Sequence, residues 1–125
     1  MNVVDSSGWL EYFADGPNAP FFVRAIEDTG DLLVPTLSVA EVFRRVLQQR
    51  GEDQALQAAA LMQQGRIVDL DLTTALVAAR LGIQQRLPLA DSVMLATARQ
   101  HGAVLWTQDR DFEGIEGVRY RAKPA

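Results

Sequence analysis

The sequence has no cysteine, a single histidine (His101) and a single lysine (Lys123). The first absence excludes disulfides, zinc–thiolate sites and cysteine nucleophiles, and it suits a reducing cytoplasm. His101 stands in the last turn of an apparent helix before Gly102, where an imidazolium favours the helix dipole, and no spacing links it to Ser6 or Ser7 as a nucleophile–base pair. A glycine-rich phosphate loop is missing. No apolar run approaches the roughly 20 residues that span a bilayer. The start, Met1–Asp5, lacks the basic residues and long apolar stretch of a secretory signal. With no repeat, linker or low-complexity segment, residues 1–125 are expected to form one domain. The net charge of −4 lacks the basic footprint of a nucleic-acid partner. That objection loses force if the acids are gathered at a site where bound cations cancel them.

Short apolar runs alternate with longer amphipathic ones. Residues 2–5 read as a strand, followed by a helix from a Ser6-Ser7 cap through Phe13 and a break at Asp15-Gly16-Pro17. A helix around 21–27 ends at Gly30, and 32–35 is the next strand. Helices are expected over 36–49 and 53–64, a strand over 66–70, a helix capped by Asp71 or Thr73, and another from Leu89 to Arg99. Residues 103–107 are the most strand-like of all, with a short edge strand at 118–120. Strands separated by helices imply crossovers and a mainly parallel sheet covered on both faces, an α/β fold. Ligands of such sheets bind outside the carboxyl ends of the strands. Asp5 and the run Thr107-Gln108-Asp109-Arg110-Asp111 both sit at such ends.

Singly, the acids have ordinary explanations. Asp5 is placed to cap a helix, although two serines stand ready for that work. Glu41 has Arg45 at i+4, a pair worth about 0.3–0.5 kcal/mol on an exposed face. Asp91 complements a helix dipole, but the helix after it is strongly apolar, so its carboxylate starts at the edge of a buried surface. Asp109 and Asp111 follow a strand and suit a turn, a cap or a metal. Together, four carboxylates repel one another, and burial raises their pKa values. A divalent cation resolves this, and a site with only oxygen ligands suits Mg²⁺ or Mn²⁺. Two such ions about 4 Å apart stabilise the attacking and leaving oxygens of an in-line displacement at phosphorus.

Four segments in this order, Val3-Val4-Asp5-Ser6-Ser7, Ser38-Val39-Ala40-Glu41-Val42, Leu87-Pro88-Leu89-Ala90-Asp91-Ser92 and Leu105 through Phe112, resemble the PIN-domain nucleases, most closely the VapC toxins of toxin–antitoxin pairs. The resemblance covers nearly the whole chain. It implies a three-layer α/β/α fold and Mg²⁺- or Mn²⁺-dependent endonuclease activity on RNA, leaving 3′-hydroxyl and 5′-phosphate ends. Asp5, Glu41, Asp91 and Asp109 match the family's acidic positions, Ser7 and Thr107 match hydroxyls that hold the first and last acids, and Asp111 matches a less uniformly essential position. Arg44 or Arg45 would stabilise developing charge. A cytoplasmic homodimer is implied, neutralised by a VapB-type antitoxin whose arginine reaches the acidic pocket. The helix bearing Trp9, Leu10, Tyr12 and Phe13 would contribute to the partner groove or pack on the sheet. Trp9 and Trp106 read as core.

Two rival readings remain at this point. A catalytically silent PIN-fold binding module would not need intact acids at all four positions. A phosphoacceptor or phosphatase-like α/β domain would need a lysine at the site, and Lys123 lies beyond the last expected element.

Overall fold

A computed structural model describes all 125 residues. Strand β1 (Asn2–Val4) leads into α1 (Ser6–Phe13) and α2 (Ala19–Ile26), then β2 (Leu32–Pro35), α3 (Thr36–Arg50) and α4 (Glu52–Met62). The second half runs β3 (Arg66–Val68), α5 (Leu72–Gln85), α6 (Leu89–Gln100), β4 (Val104–Thr107) and β5 (Val118–Tyr120). All strand pairs are parallel, in the order β3-β2-β1-β4-β5. The expected elements are all present. The second helix starts earlier than expected because Pro20 opens its first turn, where a missing N–H costs nothing. The strand at 66 stops at Val68, short of Leu70.

The alternation of side chains along the strands divides the interior into two cores. Val3, Leu33 and Leu105 pack with Ala78 and Leu81 of α5 and with Met94 and Leu95 of α6. Val4, Leu32, Val34 and Trp106 point the other way, among Trp9, Phe22, Val42 and Met62 from α1 to α4. The result is a three-layer α/β/α domain with helices on both faces of the sheet. Gly8 is what lets α1 lie close: a Cβ there would stand 2.6 Å from the Phe22 ring and 2.7 Å from Val4. Trp9 and Trp106 are core residues, as expected. The Trp106 indole donates to Asn2 Oδ1 at 2.8 Å, and Arg119 lies over its ring at 4.8 Å.

The chain leaves β1 to build β2 and β3 on one side and returns to build β4 and β5 on the other. The point where the order reverses, between β1 and β4, is where open parallel sheets form their crevice. Both strands release their last residues there. The Asp5 N–H extends the ladder by donating to the Trp106 carbonyl at 2.9 Å.

Candidate metal centre

A cleft of about 740 Å³ opens at this crevice, and Asp5, Glu41, Asp91 and Asp109 all line it. Four different elements bring them there: the end of β1, the second turn of α3, the first turn of α6, and the segment after β4. Helices α3 and α6 are tied together beneath the site, where the buried Ser38 hydroxyl donates to Met94 Sδ at 3.3 Å.

Asp5 is buried and stands at the N-cap position of α1, yet its side chain caps nothing. Its Oδ2 instead accepts from the Ser7 hydroxyl at 2.8 Å and the Thr107 hydroxyl at 3.0 Å. Thr107, wholly buried, also accepts from the Asp109 N–H at 2.9 Å. One hydroxyl thus joins the first acid to the last, across 102 residues of chain. Burial pushes the Asp5 carboxyl above its ordinary range; the Ser7 and Thr107 hydroxyls oppose that shift, and the charges of Asp109 and Glu41 add to it.

For the other acids the ordinary explanations hold only in part. The Ser6-Ser7 pair does not cap α1: both residues lie inside the helix, and Ser6 Oγ donates to Glu41 Oε1 at 2.7 Å. Glu41 makes no ion pair with Arg45, although Arg45 lines the same cleft and Arg44 does not. Asp91 does lie in the first turn of α6, where its charge complements the helix dipole as expected, but no hydrogen bond engages its carboxylate. By contrast Asp71 does cap α5, accepting from the Thr74 N–H at 2.8 Å, which holds its carboxyl below the ordinary range. His101 bonds only the Thr97 carbonyl and takes no part in the cleft.

Carboxylate oxygens of Asp91, Asp109 and Asp111 lie within 4.8 Å of one another. Asp111, which ranks below the others in the sequence, thus joins this group, and Asp5 and Glu41 are not part of it. Asp109 doubles as the cap of the following 3-10 turn, accepting from the Asp111 N–H at 3.0 Å. The Asp91 carboxyl is pushed up to about 7, first by burial, then by the charges of Asp5, Asp109, Asp111 and Glu41. The only ion pair in the chain joins the N-terminal amine to Asp31, so no site carboxylate has a cationic partner within 4.0 Å. A divalent cation fits this oxygen-only donor set, since uncompensated acids at this spacing otherwise hold protons.

Over residues 3–118 the chain matches the PIN domain family. The chain belongs to that family. Solved structures with the same PIN fold include a toxin–antitoxin complex from Klebsiella pneumoniae, 22% identical, with a TM-score of 0.80 over 95% of this chain and 96% of that one. DNA-bound VapBC from Salmonella typhimurium is 14% identical, with a TM-score of 0.75 over 98% and 97% of the two chains. VapC20 of Mycobacterium tuberculosis, a sarcin–ricin loop cleaving toxin, is 18% identical, with a TM-score of 0.73 over 95% and 99%. No curated protein sequence matches. The PIN assignment removes the phosphoacceptor reading, although a lysine does stand at the site. Lys123 does follow the last strand, yet it lines the cleft beside Asp109.

Several residues around the site carry no motif that would single them out. Gln108 is buried between two site residues; its Oε1 accepts from Asn18 Nδ2 at 3.0 Å, and its Nε2 donates to the Ser7 carbonyl at 3.4 Å and to Glu11 Oε1 at 3.5 Å. Glu11 Oε2 in turn accepts the Asn18 N–H at 2.7 Å. In sequence Asn18 only follows the Asp15-Gly16-Pro17 break and carries no signal of its own. Only the meeting of α1, the α1–α2 turn and the β4 end shows that these amides brace the site.

Proposed function

We propose that this PIN domain is a Mg²⁺- or Mn²⁺-dependent endoribonuclease and the toxin of a type II toxin–antitoxin pair. One observation carries the proposal: five carboxylates converge at the β1/β4 crevice, and none has a cationic partner in the chain. Asp91, Asp109 and Asp111 would hold the cation, flanked by Asp5 and Glu41. When bound, such a cation supplies Lewis-acid stabilisation of the charge that develops on a phosphodiester. The chain's own residues supply orientation and proton transfer. Ser7 and Thr107 fix the Asp5 carboxylate, which faces the cleft and accepts a proton from an attacking water. Ser6 holds Glu41 toward the same floor, and Arg45 on the wall meets a phosphate oxygen. Water oxygen bonds to phosphorus as the P–O3′ bond breaks, and the departing 3′-oxygen takes a proton from solvent, leaving a 5′-phosphate and a 3′-hydroxyl.

The likeness to toxin–antitoxin and VapBC complexes supports an antitoxin partner. The cleft suits one physically, since its acidic floor fits an arginine and Leu10, Phe13 and Leu61 offer apolar walls. A second copy would cover the exposed Leu72, Leu76 and Ile83 of α5 and Leu89 of α6, which supports a homodimer. No helix is long and apolar enough to cross a membrane. We take the cytoplasm, where RNA and antitoxin are met, as its site of action.

The test is to incubate the purified chain, free of antitoxin, with structured RNAs in Mn²⁺ or in EDTA. Cleavage that needs Mn²⁺ and disappears in Asp5→Asn and Asp91→Asn supports the proposal. Equal cleavage by those variants overturns the site, and binding of a partner without any cleavage favours the silent module.

A further inference from the structure

The residues after β5 do not leave the domain freely. The Arg121 N–H donates to the Thr107 carbonyl at 3.0 Å, and the Ala122 carbonyl accepts from Asn18 Nδ2 at 3.1 Å. Asn18 is itself buried, and its amide group spends its two hydrogens on Ala122 and on Gln108. A buried amide whose two N–H groups are both bonded in this way ties the α1–α2 turn to Gln108 and to the segment after β5. The next residue is Lys123.

That hook places the only lysine of the chain at a junction. The main cleft continues over Asp109 into a second depression of about 410 Å³, and Ser7, Gln108, Asp109 and Lys123 line both. Arg110 and Tyr120 complete the far side of the second depression. No carboxylate lies within 4.0 Å of the Lys123 ammonium, so it is not spent on an ion pair despite the acids nearby. The other cations lining the main cleft are Arg45 and Arg50 of α3. The acids of the cleft are therefore accompanied by cations from two separate elements, α3 and the segment after β5. A polyanion entering the cleft meets these cations as well as the acids, whose charge a bound metal would offset.

We infer that Lys123, with Arg110 lining the same depression, forms a subsite for the RNA backbone phosphate flanking the scissile one. This rests on the ribonuclease reading. It gives a chain of net charge −4 a local means of holding a polyanion, since Arg45, Arg50, Arg110 and Lys123 line the two depressions. A lysine serves there as a point charge that follows a mobile phosphate without imposing bidentate geometry.

The test is Mn²⁺-dependent cleavage of a short single-stranded RNA by wild type, Lys123→Ala, Lys123→Arg and Lys123→Glu, at several KCl concentrations. Lys123→Ala is expected to raise KM about five- to tenfold with kcat within about twofold, and to lower the slope of log(kcat/KM) against log[KCl] by about 0.7, the value for one phosphate contact on a single strand. Lys123→Arg should restore both, and Lys123→Glu should raise KM further. A merely structural role would leave the salt slope unchanged, and that result overturns the assignment, as does a loss confined to kcat. If the wild-type chain cleaves no RNA, the ribonuclease reading fails by itself. Anisotropy binding of the same RNA in Ca²⁺ then decides Lys123, and an equal Kd and salt slope in Lys123→Ala rejects the subsite.

Discussion

The two sides of the cleft treat their acids differently. On the β1 side, Asp5 is buried, and hydroxyls from Ser7 and Thr107 aim at one of its oxygens. On the α6 side, Asp91, Asp109 and Asp111 crowd within 4.8 Å, and among them only Asp109 accepts a hydrogen bond, from the Asp111 N–H. Hydroxyl donors fix a carboxylate's position and favour its charged form without cancelling the charge. The first side is therefore built to hold an acid still, and the second to have its charge met from outside.

This contrast breaks most sharply at Asp91. Asp91→Asn removes a charged oxygen from the crowded side, and we expect Mn²⁺-dependent RNA cleavage to fall about 10²–10³-fold, with folding retained by circular dichroism. On the ordered side, Thr107→Val deletes the hydroxyl shared by Asp5 and Asp109 and leaves buried partners short of a bond. A stability loss of about 1–3 kcal/mol is expected in denaturant unfolding. With one of its two hydroxyl donors gone, Asp5 should hold its proton more tightly, so the acid limb of the cleavage–pH profile should move to higher pH. A profile that stays in place would show that Thr107 does not set Asp5.

A smaller effect concerns the metal-free chain. The native Asp91 carboxyl is raised to about 7, while an unfolded aspartate titrates near about 4. The native state therefore binds more protons between those values, and stability falls as pH rises from about 4 to about 7. The thermal midpoint in EDTA should be higher at pH 5 than at pH 8, and Asp91→Asn should flatten that difference. Adding Mn²⁺ should raise the midpoint more at pH 8 than at pH 5, because protons and cation compete for the same oxygens. The smallest effect should be that of Asp111→Asn. Asp111 is exposed, so we expect a loss of about tenfold or less, which added Mn²⁺ largely restores.

Much of the fold was legible because its signals are local. The alternation of apolar and polar residues, Asp71 before α5 and the apolar run Ala103–Trp106 each act within one element. The candidate acids were legible as a set, through four spaced segments, although each had a plausible local role. What misled was proximity in sequence. Ser6 and Ser7 look like caps beside a helix start, but their hydroxyls go to Glu41 and Asp5. Glu41 looks paired with Arg45 and is not. Lys123 looks stranded past the last strand and returns to the site through Asn18.

From the sequence alone come the element order, the parallel α/β class and the identity of the acids, because periodicity and residue chemistry are carried by short stretches of chain. Tertiary structure alone decided which acids stand together, which hydroxyl serves which carboxylate, and where the last lysine lies. Those outcomes depend on the strand order β3-β2-β1-β4-β5, which sets Asp5 beside Thr107 across 102 residues. Burial and mutual repulsion act through space, so no local pattern records them until the sheet has closed.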